Sequence, residues 1–217
     1  MAFIGNNPKW NTGKFNPLSA DPSNPVEGMV QYADGTARTE GLWVYSNSAW
    51  VQLAAATTVQ RAFLKDVKSN GTSGGSSTAT SFSSNPRVLN TATGDTSFVT
   101  LTNGTTGTGG TANKFTLDAG TYHISGHCPV NATGGDAKSR LWNDSDSTTA
   151  LVGASVSMNP SGVQAQCLIS GQVTIASSKT FQFQVYPDTA SAGDGLGKAV
   201  SSGEVEIFSE LTIEKIA

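Results

Sequence analysis

From Lys114 to Val130 apolar and polar residues take turns along the chain. Phe115 and Leu117 alternate with Lys114 and Thr116; Tyr122, Ile124, Gly126 and Cys128 share one phase, and His123, Ser125 and His127 share the other. A period of two marks a half-buried strand, because successive side chains point to opposite faces. Between the two runs, Asp118-Ala119-Gly120 supplies a corner, since Gly lacks the Cβ that restricts φ. Pro129 has no N–H to donate and is predicted to end the second strand. The period returns downstream. Val163, Ala165, Cys167, Ile169, Gly171, Val173 and Ile175 alternate with Gln164, Gln166, Leu168, Ser170, Gln172 and Thr174, over one long strand or two bent at Gly171. Phe181, Phe183 and Val185 alternate with Gln182, Gln184 and Tyr186. Val205, Ile207, Leu211 and Ile213 stand against Glu204, Glu206, Glu210, Thr212 and Glu214.

The chain of 217 residues holds one large β domain with a small appendage, or two modest domains, and can bury a core without staples. Charged residues make up 13% and the net charge is −3, which argues against a surface that tracks phosphates; no nucleic-acid partner is expected. No run of about 18 apolar residues occurs, so no membrane insertion is expected. The first eight residues have neither a basic stretch nor an apolar core of the secretory kind. Synthesis in a cytosol, with Cys128 and Cys167 as thiols, is the expectation.

Three segments follow. Residues 1–24 carry Pro8, Pro17 and Pro22 and no useful periodicity. They read either as a disordered tail or as an arm whose Phe3, Ile4, Trp10 and Phe15 bury in a partner. Residues 25–56 read as a small β module: strands over 29–32, 42–45 and 50–53, with Asp34-Gly35 as a hairpin turn. So thin a sheet is marginal alone and is expected to stack on copies of itself or on the next domain. Residues 57–217 form the main domain. The four-residue spacing of Val59, Phe63 and Val67 allows a short helix. A linker followed by a strand over 61–68 is favoured, because Asn70-Gly71 and the Ser/Gly run after it break the chain. Further strands are predicted over 87–90, 97–102, 139–143 and 149–157, with polar loops over 70–86 and 103–112. About ten short strands without a helix make a two-sheet sandwich, most simply a jelly roll.

Reactive constellations are weak. His123 and His127 share a face, but four residues of strand separate them by about 13 Å, too far to hold one metal. Asn143-Asp144-Ser145-Asp146 lacks a full calcium loop and reads as an Asx-rich turn. There is no Gly-x-Ser-x-Gly elbow and no phosphate-binding Gly loop. Asp188 and Asp194 flank a solvated loop, and no carboxylate pair is set in a cleft. No catalytic residue, metal ligand or cofactor is predicted. Cys128 and Cys167, on apolar phases, are expected to be buried small hydrophobes, with a disulfide between facing sheets as the alternative.

Taken in order, several stretches resemble the C-terminal jelly-roll domain of bacteriophage fibre proteins, which is similar to the C1q/tumour-necrosis-factor fold. They are Ala62-Phe-Leu-Lys-Asp-Val-Lys-Ser-Asn-Gly-Thr-Ser-Gly-Gly, Arg87-Val-Leu-Asn90, Phe115-Thr-Leu-Asp-Ala-Gly-Thr-Tyr122, Arg140-Leu-Trp-Asn143, Leu151-Val-Gly153, Lys179-Thr-Phe-Gln-Phe-Gln184, Gly195-Leu-Gly197, Glu204-Val-Glu-Ile-Phe208 and Thr212-Ile-Glu-Lys-Ile216. The segment from Gly41 to Leu53 is similar to small β modules of phage fibres, and residues 1–8 resemble the N-termini of phage virion proteins. The resemblance implies a homotrimer of jelly rolls around a threefold axis. Phe208 and Ile216 on the Glu-rich phase, and Tyr186 on a Gln-rich phase, are the candidate trimer contacts, since apolar groups on a polar face can mark an interface.

Three functions compete at this point. The first is a virion structural protein, a short fibre or capsid decoration anchored by Phe3, Ile4, Trp10 and Phe15 to capsid or tail proteins. The second is the receptor-binding tip of a tail fibre, recognising a host surface glycan or protein. The third is an enzyme. A long fibre needs a shaft of repeats, and none is present. The first reading leads, with no enzymatic activity and with a place on the virion surface after synthesis in the bacterial host cytoplasm.

Overall fold

The computed structural model describes residues 19–33, 35–36, 38–54, 59–78, 80–102, 113–131, 135–158 and 163–216. Contacts divide the chain into two compact units, residues 1–58 and 59–217. No helix occurs among the described residues.

In the first unit three strands, β1 (Val30–Ala33), β2 (Gly41–Ser46) and β3 (Ala49–Ala54), form an antiparallel sheet in the order β1-β2-β3. All three expected strands are present. Tyr45 and Trp50 face each other in register and meet edge to face at 5.4 Å. Asn47 and Ser48, both at positive φ, make the tight turn between β2 and β3.

In the second unit, β4 (Gln60–Lys68), β5 (Thr91–Gly94), β8 (Gly120–Asn131), β11 (Gln164–Ile175) and β13 (Glu206–Lys215) form one sheet, ordered β11-β8-β13-β4-β5. The other sheet holds β6 (Val99–Thr102), β7 (Lys114–Leu117), β9 (Asp136–Asn143), β10 (Thr148–Ser157) and β12 (Lys179–Pro187), ordered β10-β9-β12-β7-β6. Chain neighbours such as β7 and β8, β8 and β9, and β12 and β13 lie in opposite sheets. That alternation is the winding of a jelly roll, the fold class expected from the sequence. Inward phases of both sheets meet in one core. Phe115, Leu117, Leu141, Phe181 and Phe183 come from one side, and Leu64, Tyr122, Ile124, Leu211 and Ile213 from the other. Phe115 and Phe181 stack at 5.8 Å between ring centres. The Tyr122 hydroxyl donates to the Asp118 carbonyl at 2.8 Å, closing the corner before β8.

Three local expectations are corrected, and one left open is decided. Pro129 does not end β8, which runs to Asn131 with Pro129 opposite Gln166. On its other side β8 pairs with β13 only as far as His127, so the missing N–H costs no ladder bond there. Residues 87–90 are not a strand. The Arg87 amide donates to Phe183 of one sheet and the Asn90 amide to Lys65 of the other, so the segment crosses between sheets. The run over 163–175 is one strand, unbroken at Gly171. The phase of the last strand inverts at its start, because a bulge between Ile207 and Glu210 adds a residue to β13. Leu211 and Ile213 point inward as expected, but Glu206 and Phe208 are buried while Val205 and Ile207 are exposed.

Candidate functional surfaces

The outer face of the β11-β8-β13-β4-β5 sheet carries three of the seven ion pairs among the described residues. Register sets Lys65, Glu210, His127 and Leu168 in one row across four strands. It sets Arg61, Glu214, His123 and Gln172 in a parallel row, with Phe63, Thr212, Ser125 and Ser170 between them. Each glutamate therefore sits between a permanent cation and a histidine. Lys65 Nζ lies 2.9 Å from Glu210, Arg61 pairs with Glu214, and His123 Nδ1 is 3.9 Å from Glu214. Exposed pairs of this kind contribute about 0–1 kcal/mol each. Their larger effect is to leave the face nearly neutral, with Phe63 half-buried in its middle and Leu168 exposed at its edge.

A second cluster is buried. Arg87 is 1% exposed, a position read from sequence only as part of a strand. Its Nε donates to Ser209 Oγ at 2.8 Å and its Nη2 to the Leu196 carbonyl at 2.6 Å, while Nη1 has no hydrogen-bond partner. Burial pulls the guanidinium pKa down; Cys128, Asp66 and Cys167 pull it back up. Burial likewise pushes the Asp66 carboxyl up against the opposing pull of Lys68, 3.3 Å away, and of Arg87. Cys128 and Cys167 beside this cluster are both buried and unbridged, as expected. They face each other across adjacent strands of one sheet and not across the two sheets. The contact shared with Cys128, and then burial, push the Cys167 thiol far above its ordinary range, so it stays protonated. A charged residue between Pro86 and the apolar pair Val88-Leu89 was the available signal for Arg87.

On the outer face of the other sheet, planar groups stack in a line. Tyr186 lies 5.3 Å from Phe82, and the Arg140 guanidinium lies 4.3 Å from both the Phe82 and Trp142 rings. Beneath them Gln184 accepts from Arg140 Nε at 2.8 Å and donates to Gln182 at 2.8 Å. The stack covers β12 on its solvent side, which is why both glutamines are buried. Nearby, Asn143, Asp146, Gln172 and Lys179 help line a shallow cavity of about 350 Å³. Its charges answer each other: Lys179 donates to Asp146 at 2.5 Å and holds that carboxyl below its usual range. Elsewhere Glu206 gathers two loops, its Oε1 accepting from the amides of Gly71, Val200 and Ser201 at 3.2, 3.1 and 2.8 Å. Those backbone donors, Ser201 first, hold its pKa below the ordinary glutamate value. Among the described residues no group of three or more His, Cys, Asp or Glu is arranged to hold a metal ion.

The residues singled out from sequence do not come together. Phe3, Ile4, Trp10 and Phe15 lie outside the described residues. Phe208 is 3% exposed, because the bulge turns it inward against Gly197, where a Cβ would overlap its ring. It is therefore not the exposed off-phase residue the sequence suggested. Ile216 is 59% exposed just past β13, and Tyr186 is half-exposed with its ring engaged by Phe82. His123 and His127 lie on the outer face as expected, in separate rows.

No family model matches the sequence, and no curated protein is similar enough to match it. Among solved structures, the globular domain of zebrafish complement 1qA protein overlaps the chain at 11% identity, covering 74% of this chain and 98% of that one, with a TM-score of 0.41. An overlap of that size carries no weight of its own, and the jelly roll rests on the strand order.

Proposed function

We propose that the chain is a non-enzymatic structural protein of a bacteriophage particle, a homotrimeric short fibre or capsid decoration. Residues 1–24 anchor it to capsid or tail proteins, and the jelly roll stands on the particle surface. The resemblance of its ordered motifs to phage fibre domains supplies the setting. The observation that carries the assembly is the nearly neutral outer face of the β11-β8-β13-β4-β5 sheet. Its glutamates are already answered within the subunit, and Phe63 and Leu168 stand beside them. A face whose charges are paired within the subunit packs against a neighbouring subunit without stranding an ion. Ile216, exposed at the end of β13, extends that contact. Phe208 supports it from within its own subunit.

Deleting residues 1–24 tests the anchoring. The truncated protein is expected to remain a folded trimer and to disappear from purified particles. Truncated protein present on virions at the normal copy number would place the attachment elsewhere. A second reading, recognition of a host surface glycan, is favoured by the opposite sheet face. There Lys138 and Arg140 have no carboxylate partner among the described residues and stand beside Trp142 and Tyr186.

A further inference from the structure

Lys138, Arg140 and Trp142 share one phase of β9, on the outer face of its sheet, and register sets Tyr186, Gln184 and Gln182 opposite them on β12. Neither cation forms an ion pair among the described residues, whereas Arg61, Lys65, Lys114 and Lys179 each meet a carboxylate. Asp136 precedes Lys138 on the same phase and does not pair with it, so the row keeps an excess of positive charge. Arg140 is also held in place. Its guanidinium lies over the Phe82 and Trp142 rings, 4.3 Å from each centre, and its Nε donates to Gln184 at 2.8 Å. Nη1 reaches Thr149 Oγ1 only at 3.5 Å, and Nη2 donates to no described residue. A guanidinium already fixed by its neighbours loses little rotamer freedom when a ligand takes its free edge. Trp142 Nε1 and Lys138 Nζ likewise donate to no described residue.

We propose that this face binds a carboxylate-bearing saccharide, with the acid group on Arg140 and Lys138 and the C–H face of the sugar ring on the part of Trp142 that Arg140 leaves uncovered. The inference rests on the host-glycan reading above and adds the charge of the ligand and the residues that read it. Two unpaired cations side by side call for an anion. The planar fork of Arg140 selects a carboxylate, which takes two parallel N–H···O bonds in the guanidinium plane. An aromatic ring with an apolar body and a free polar tip suits a sugar, which is apolar on its ring face and polar at its rim. The contact proposed between subunits lies on the outer face of the other sheet and leaves this one open.

The test applies the full chain to an array of bacterial surface saccharides in three groups: neutral, uronic-acid-bearing and phosphorylated. The expected result is capture by the uronic-acid group about tenfold above the other two. Arg140→Lys keeps the charge without the fork and is expected to lose about tenfold of that capture. Lys138→Gln, outside the ring stack, is expected to lose about threefold. Circular dichroism checks that both variants stay folded, and should Arg140→Lys unfold, the Lys138 variant decides. Neutral or phosphorylated saccharides captured as well as the acidic ones overturn the proposal and leave the glycan reading standing. No capture in any group overturns both. Full capture by a folded variant overturns the site.

Discussion

The two units are both built of short apolar-rich strands and reach opposite outcomes in burial. In the jelly roll, the inward phases of ten strands close on each other, and residues such as Phe115, Leu117, Phe181 and Leu211 are fully buried. In the small sheet, β2 is apolar on both phases from Leu42 to Tyr45, yet Ala33 alone among the described apolar residues of that unit is buried. Alternation says that a strand has an apolar face. It does not say whether the same chain supplies the layer that covers it. The jelly roll covers its own apolar faces, and the described residues of the small sheet do not.

The sharpest way to break this contrast is truncation on each side. Phe181→Ala in the jelly roll is expected to cost about 3–5 kcal/mol, read as a lower midpoint in denaturant unfolding. Val44→Ala in the small sheet is expected to cost under about 1 kcal/mol in the dissociated monomer, where that side chain is only half-buried. Equal losses in monomers would show that the small sheet has a core of its own.

Next in size is the buried charge of the jelly roll. Arg87→Met removes the hydrogen bonds to Ser209 and Leu196 and one of the two cations that act on Asp66, leaving Lys68, and is expected to cost about 1–3 kcal/mol. Adding Asp66→Asn is expected to recover part of that loss, because the remaining partner is then neutral. A double variant as unstable as the single one would show that the hydrogen bonds to Ser209 and Leu196 matter more than the charge. Smaller again is Gly94→Ala at the end of β5. There φ is +83°, and a Cβ would overlap the Arg61 carbonyl. The expected cost is about 1–2 kcal/mol, from the left-handed backbone alone, in thermal unfolding.

The smallest effect depends on pH. The Glu206 carboxyl has a folded-state pKa below its unfolded value. Its contribution is complete above the ordinary glutamate value and is lost as pH falls through the lower folded value. Protection of the Gly71, Val200 and Ser201 amides, relative to their intrinsic exchange rates at each pH, is therefore expected to fall on acidification in the native chain. In Glu206→Gln the same amides should lose that acid-dependent step. An unchanged step in the variant would remove Glu206 as its cause.

The fold was legible wherever burial follows a strict period of two. β7, β8, β11 and β12 were read from alternation, while the strands of the small sheet were read from β-rich runs around Asp34-Gly35. The failures share a physical reason. The bulge in β13 adds one residue to one side of a ladder and leaves no signature in composition, so Phe208 was placed on the wrong face and Ile207 with it. Residues 87–90 read as β-rich, but their direction is set by the two sheets they join. That Cys128 and Cys167 face each other is a matter of register, which sequence spacing leaves open. The outer face with its two glutamates between cations and histidines was visible only as three separate polar phases until pairing aligned them.

The central proposal is that the chain assembles as a homotrimer through its jelly roll. Sedimentation equilibrium of the full protein at micromolar concentration tests it most directly. The account predicts a single species of three times the 22.4 kDa chain mass. A monomer at that concentration, with the jelly roll folded, would contradict it.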